Sequence, residues 1–233
     1  MPALDPPPLS VIIPTLDAAA SLPATLTALA EGRAQGLTRE ILVADGGSRD
    51  ATVALAERHG ARVIAAPRGR GAQLAAGGAA ASGAWLLFLH ADTRLAPGWG
   101  AAVAAFIGSG SNDQRAGYLR FRLDDASAAA RCVEAVVAWR CRALALPYGD
   151  QGLLIAAPLY RAIGGFRPLP LMEDVDLIRR LGRRRLVALD VDAVTSAARY
   201  RQGGYVRRPL RNLGCLTLYF LGLPPRVLMR LYG

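Results

Sequence analysis

Four groups of side chains in this sequence are of the types that handle phosphate, metal or proton chemistry. The first closes the run Trp85-Leu-Leu-Phe-Leu-His-Ala-Asp-Thr93, where a strand-like apolar stretch ends abruptly in His90, Ala91 and Asp92. In an open α/β sheet ligands bind beyond the carboxyl ends of the strands, so Asp92 is placed to meet a metal or a phosphate. The plainer alternative is that Asp92 caps the next helix. The second group is Pro14, Thr15 and Asp17 after the apolar run Leu9–Pro14, with Asp45, Gly46 and Gly47 after Glu40–Asp45. Parallel strands place their carboxyl ends on one side, so these residues converge with Asp92 although they are distant in sequence. Gly46 and Gly47 admit a ligand close to the backbone, or simply make a tight turn. Arg68 and Arg70 form the third group, suited to neutralising phosphates or to standing as a solvated loop. The fourth is Met172-Glu-Asp-Val-Asp176. Acids in a first helical turn are favoured by the macrodipole alone. Here they follow the glycine- and proline-rich loop Gly164–Pro170, and a carboxylate held that rigidly suits a general base.

The elements that must position these groups alternate. Strand-like runs at Leu9–Pro14, Glu40–Asp45, Ala61–Ala66 and Ala84–His90 are each followed by a helical pattern: through Leu22, Leu26 and Leu29, over about 50–59, over about 71–81, and after Asp92. That rhythm reads as a parallel sheet with helices on both faces. The second half is less regular. Residues Ala116–Leu123 alternate like an exposed strand, and Asp125–Leu146 reads as a long helix. Short elements fill 148–165, a helix covers Glu173–Leu181, a last strand covers Arg185–Asp190, and the remainder is helical. Residues 108–114 form a polar loop and no repeat or linker divides the chain.

At 233 residues with 52% hydrophobic side chains, the chain is long enough for one α/β domain and too apolar for disorder. All 28 basic residues are arginine. Residues 1–116 are electrically balanced, and the whole net charge of +10 lies in residues 117–233. No acid follows Asp192, while seven arginines do, interleaved with Leu210, Leu213, Leu216 and Phe220. Such a tail faces an anionic lipid surface, an anionic substrate or nucleic acid, or is a solvated helix face. No nucleic-acid recognition motif accompanies the charge, so no nucleic-acid partner is expected. Met1–Pro8 lack a basic and an apolar region, so no signal peptide is expected. The apolar stretch 213–223 is too short to span a membrane, and a cytoplasmic or peripheral location is expected. Cys132, Cys141 and Cys215 are unpaired in spacing and offer no zinc site.

Dinucleotide binding lacks its fingerprint, because Leu74 stands where Gly69-Arg-Gly71 would need a third glycine, and no Walker pattern is present. The motifs Ser10-Val-Ile-Ile-Pro-Thr15, Val43-Ala-Asp-Gly-Gly-Ser-Arg-Asp-Ala-Thr52, Phe88-Leu-His-Ala-Asp-Thr93, Ile163-Gly-Gly-Phe166 and Glu173-Asp174 stand in the order seen in family 2 glycosyltransferases. The sequence resembles that family over roughly residues 9–185. His90-Ala-Asp-Thr93, Tyr148-Gly-Asp-Gln-Gly152 and Leu171-Met-Glu-Asp-Val175 further resemble the branch of radical-SAM/selenodomain-associated transferases and its carotenoid-acid (diaponeurosporenoate-type) relatives.

The resemblance implies a GT-A fold, an α/β architecture with a mostly parallel, Rossmann-like sheet flanked by helices and a helical C-terminal extension. It implies one domain, with a nucleotide-sugar-binding half at 9–115, an acceptor and catalytic half at 116–192, and basic, apolar helices at 193–233. The activity implied is inverting transfer from a nucleotide-diphosphate sugar, UDP-linked by preference, to a hydroxyl or carboxyl acceptor of lipid-like, membrane-associated character. Pro14, Thr15, Asp17, Asp45, Gly46, Arg70, His90 and Ala91 would match the donor pocket. Asp92 would match the family's metal-binding aspartate and hold Mn2+ or Mg2+. Asp174 would match the catalytic base and Glu173 would orient it, with Asp150 and Gln151 on the acceptor side. His90 departs from the pattern, since the family has an aspartate there and histidine carries no fixed negative charge. A nucleotidyltransferase is the alternative enzyme, although its glycine-rich signature after the first strand is replaced by Pro14-Thr-Leu-Asp17. A nucleotide-sugar binder without catalysis is the other alternative.

Overall fold

The computed structural model describes residues 8–232; the N-terminal stretch read as lacking a signal peptide lies outside them, apart from Pro8. In chain order the first half runs β1 (Leu9–Thr15), α1 (Leu22–Ala28), α2 (Ala30–Ala34), β2 (Thr38–Asp45), α3 (Thr52–Arg58), β3 (Arg62–Ala65), α4 (Arg70–Ala80), β4 (Trp85–Phe88), β5 (Thr93–Leu95) and α5 (Trp99–Gly108). The second half runs β6 (Ala116–Leu123), α6 (Ala128–Leu144), a 3₁₀ turn (Gly149–Gln151), β7 (Leu153–Ala156), α7 (Ala157–Ala162), α8 (Glu173–Leu181), a 3₁₀ turn (Arg183–Arg185), β8 (Leu186–Thr195), α9 (Ala198–Gly203), α10 (Arg207–Phe220) and α11 (Pro225–Tyr232). None of the described helices is long and apolar enough to cross a membrane.

One eight-stranded sheet has the order β3-β2-β1-β4-β7-β6-β8-β5. Strands β3, β2, β1 and β4 are parallel, as the alternating rhythm requires, and Thr15 lies beside Asp45 in register. Central strands of this kind are buried on both faces, which is why β1 carries seven consecutive buried residues. The second half supplies the antiparallel part of this mostly parallel sheet. Strand β7 runs antiparallel to β4 and β6, β8 is parallel to β6, and β5 is antiparallel to β8. Three-residue β5 carries no periodicity that a sequence pattern could reveal.

Strand β8 extends beyond the expected Arg185–Asp190 as far as Thr195. Its acids need no burial: Asp190 and Asp192 pair with Arg120 on neighbouring β6. The main core joins the sheet to the surrounding helices, and a smaller cluster of Phe121, Leu123, Val133 and Val137 packs α6 on β6. Helix α6 is shorter at both ends than expected. Ser127 accepts a hydrogen bond from the Ala130 amide at 3.2 Å to cap its start, and Ala145, with φ 52°, ends it in the left-handed region.

Candidate active site

The strand ends open onto a cavity of about 890 Å³, within the range that holds small-molecule ligands. Pro14, Thr15 and Asp17 line it after β1, with Arg68 and Arg70 at the start of α4, and His90, Ala91 and Asp92 after β4. Thr15, Asp17 and Asp92, expected to converge from their strand ends, share this lining, and Arg68 and Arg70 stand with them. Arg199 of α9 joins them from a region that sequence reading had assigned only a basic tail.

Asp45 and Gly46 stand behind this lining. The Asp45 carboxylate is buried and accepts from the Thr15 hydroxyl at 3.0 Å, the Ser48 hydroxyl, and the Gly47 and Ser48 amides at 2.9 and 2.8 Å. Burial raises its pKa, but these donors outweigh it and hold it below the ordinary carboxylate value. All its acceptor positions serve the loop. Asp17, with φ 49°, reaches across to accept from the Arg49 amide at 2.7 Å, so the loops after β1 and β2 are stitched together. Gln73, buried, lining the cavity and missed in the sequence, donates to the carbonyls of Thr15 and Ala44. A Cβ on Gly46 would lie 2.8 Å from the Gln73 amide nitrogen, which gives this glycine a packing reason.

A smaller chamber of about 120 Å³ adjoins the cavity and shares Arg70, His90, Asp92 and Arg199 with it. Asp150 and Asp174 line this chamber with Tyr148 and Gly149. Helix α8 begins after Met172, whose φ of 63° turns the chain so that Glu173 points inward and Asp174 faces the chamber. Asp174 accepts from the Gly149 amide at 2.9 Å and the Val175 amide at 2.8 Å, one through each oxygen. Glu173 is buried and pairs with Arg70 through one oxygen, while its second oxygen has no hydrogen-bond partner among the described residues. Burial pushes the Glu173 carboxyl up, offset only in part by Arg70. For Arg70 burial opposes the charge, yet Glu173, Asp174 and Asp150 outweigh it and keep the guanidinium firmly protonated.

Asp150 has a buried carboxylate oxygen with no hydrogen-bond partner among the described residues. Burial, with Asp174 and Asp92 nearby and Arg140 opposing, raises its pKa to about 6. Its neighbour Gln151 lies away from the chamber. Gln151 is buried, donates to the Leu119 carbonyl at 3.1 Å and accepts from Arg140 and the Tyr148 amide, so it braces the turn that presents Asp150. Arg140 stacks 3.4 Å above the Tyr148 ring from the other side. Burial and the charges of Arg70 and Arg199 drive His90 down to about 3, so its imidazole is neutral at pH 7.

Among the described residues no group of three or more His, Cys, Asp or Glu side chains forms a closed metal cage. Asp92 and neutral His90 nevertheless face both cavities. Hard divalent cations in phosphate chemistry use one or two carboxylates and take their remaining ligands from phosphates and water. The donor set therefore fits a cation that arrives with a diphosphate. Strand pairing fixes this corner: Thr93 lies beside Thr195, and the Ser196 amide donates to the Asp92 carbonyl at 3.0 Å.

Comparisons with known proteins agree with this fold. The chain is similar in structure to glucosyl-3-phosphoglycerate synthase from Mycobacterium tuberculosis, solved with Mn2+, uridine diphosphate and glucosyl-3-phosphoglycerate: TM-score 0.62, 20% identity, 88% of this chain and 78% of that one covered. It is also similar to residues 1–349 of TarS from S. aureus, with TM-score 0.64 and 16% identity, covering 82% of this chain and 60% of that one. At such identities the likeness is one of fold. No curated protein matches the sequence. The profile described as "Glycosyl transferase family 2" matches residues 10–135, more than half of the sequence, and the chain belongs to that family.

Proposed function

We propose that the protein is an inverting glycosyltransferase that moves a sugar from a nucleotide-diphosphate donor, UDP-linked by preference, to a hydroxyl or carboxyl acceptor. The observation that carries this reading is the junction of the two cavities. A space large enough for a nucleotide sugar opens onto a chamber with a positioned carboxylate, and Arg70, His90, Asp92 and Arg199 stand between them. The synthase from M. tuberculosis, with its bound Mn2+ and uridine diphosphate, supports the donor class.

In this reading the nucleoside lies along Pro14, Thr15 and Asp17, against a wall that Asp45, Gly46 and Gln73 keep in shape. The diphosphate lies toward Arg68, Arg70 and Arg199, whose positive charge offsets the charge that develops on the leaving group. Asp92, with His90 beside it, would hold a divalent cation, which when bound adds to that stabilisation. Asp174 is the base. Two backbone amides fix its carboxylate, and it takes the acceptor proton as the acceptor oxygen bonds to the anomeric carbon and the bond from that carbon to the diphosphate breaks. A carboxylate acceptor has no proton to give and attacks directly. Glu173 positions Arg70, and Asp150 faces the acceptor with Gln151 as its support.

In this reading residues 9–115 are the donor half, 116–192 the acceptor and catalytic half, and 193–233 the basic C-terminal part, whose described helices α9 to α11 contribute lining residues to the cavities. Within the family, the His90-Ala-Asp92 variant and the Tyr148–Gly152 turn support placement in the radical-SAM/selenodomain-associated branch. A thermal-shift panel of nucleotide sugars with and without manganese tests the donor assignment. Stabilisation by uridine diphosphate sugars that grows with manganese is expected. Stabilisation by nucleoside triphosphates alone would point instead to nucleotidyl transfer, and no response to any nucleotide would refute the donor site.

A further inference from the structure

Helix α10 carries apolar side chains on two faces. Cys215 and Leu216 turn inward and are buried. On the outward side Val206, Leu210, Leu213, Phe220 and Leu221 are each 49–73% exposed. Their spacing of four, three and seven residues, with Leu221 adjoining, sets them in one stripe along the helix. Val227 of α11, which packs against α10, adds further exposed apolar surface. A stripe of this size is unusual on a soluble monomer and marks a surface that meets another phase or molecule.

The charge around the stripe identifies that partner. Arg207 and Arg211 follow it along one edge of α10, Arg226 and Arg230 lie on α11, and no acid occurs anywhere after Asp192. A second copy seated on this face would bring the same arginines against their own kind, with no acid on the patch to meet them. An apolar stripe edged by arginine matches a lipid surface, which accepts the side chains among its acyl chains and the guanidiniums among anionic headgroups. We propose that the outer face of α10 and α11 docks on an anionic lipid bilayer and holds the active-site cavities beside it.

The same helices wall those cavities. Arg208 and Asn212 of α10 line the chamber with Asp150 and Asp174, and Met229 of α11 lines the larger cavity. The inward face of α10 is about one helix diameter, ~10 Å, from its outward face. Docking therefore brings the lipid headgroup region close to the acceptor side, and the acceptor is an amphipathic molecule presented at that surface. This last step rests on the transferase reading; the docking itself does not.

Flotation of the full chain with vesicles of phosphatidylcholine, alone or with 30% phosphatidylglycerol, tests the proposal at about 150 mM salt. Binding to the anionic vesicles is expected, with little to phosphatidylcholine alone. The double variant Leu210→Ser/Leu213→Ser, altered only at exposed positions, is expected to bind at least about tenfold more weakly. Arg207→Gln/Arg226→Gln is expected to lose about tenfold and most of the salt dependence. Wild-type chain that ignores anionic vesicles, or serine variants that bind as well as wild type, would overturn the proposal. A dimer in solution that the serine variants convert to monomer would overturn it in favour of a second copy. Nucleotide-sugar thermal shifts on the same variants separate this test from the donor reading, since docking variants should retain them and a failed donor reading would leave the vesicle result standing.

Discussion

Asp92, Asp150 and Asp174 share one chamber in three different settings. Asp174 is fixed by two amides and has the geometry of a base. Asp174→Asn should retain donor affinity and lose at least about 100-fold in transfer, measured as nucleoside diphosphate released with acceptor present; an active variant would remove it as base. Asp150 is instead a carboxyl that folding makes harder to ionise, with a pKa near 6 against an ordinary 3.8. An acid raised on folding binds more protons in the native state, so its contribution to stability is present at low pH and is lost as pH rises from about 4 through 6. Asp150→Asn removes that loss. In ligand-free protein it should raise stability at pH 7.5 by on the order of 1–3 kcal/mol and change it far less at pH 4, as read from melting temperatures. An equal offset at both pH values would contradict the burial argument. A shift of this kind depends on the surroundings that the fold assembles, so it was invisible in Tyr148-Gly-Asp-Gln-Gly152, where Asp150 and Gln151 look alike as polar neighbours.

At the scale of elements, the strands end at the cavities, and the loops there are held by hydrogen bonds to side chains such as Asp45, Asp17 and Gln151. Gly71 opens helix α4 directly after Arg70, and a Cβ there would lie 2.6 Å from the carbonyl oxygens of Arg167 and Leu169. Backbone cannot yield as a flexible side chain does. Gly71→Ala should therefore cost about 1–3 kcal/mol in thermal unfolding and also weaken donor binding through Arg70; an unchanged melting temperature would show that the loop accommodates it. The parallel strands β1 to β4 and their helices were legible because long apolar runs alternate with helical periods. Strands β5 and β7 were not, because three or four residues are too few to show a period, and the antiparallel return of β7 between β4 and β6 depends on long-range pairing. Gln73 and Arg199 were missed for a related reason. Gln73 sits in a helix of small residues, and Arg199 was one of many arginines until the Thr93–Thr195 pairing brought it to the rim.

For the molecule as a whole, the residues that converge on the cavities come from both halves of the chain and from the basic C-terminal helices. Most of the rim of the larger cavity was legible from strand ends alone, and the carboxylate pair at Glu173 and Asp174 from its rigid approach loop. What the sequence could not supply was the division of labour: Asp45 and Gln151 brace loops with their hydrogen bonds filled, while Asp92 and Asp150 face open space. The altered motif His90-Ala-Asp92 is where the whole arrangement is most exposed to test, because one carboxylate must serve where the resemblance implies two. Calorimetric titration of uridine diphosphate, with and without manganese, into wild type and Asp92→Ala measures this directly. Manganese should strengthen binding to wild type, and Asp92→Ala should bind at least about tenfold more weakly with manganese and show no manganese dependence. Equal affinity of the two proteins in manganese would contradict the assignment of Asp92 and, with it, the joined donor and catalytic site.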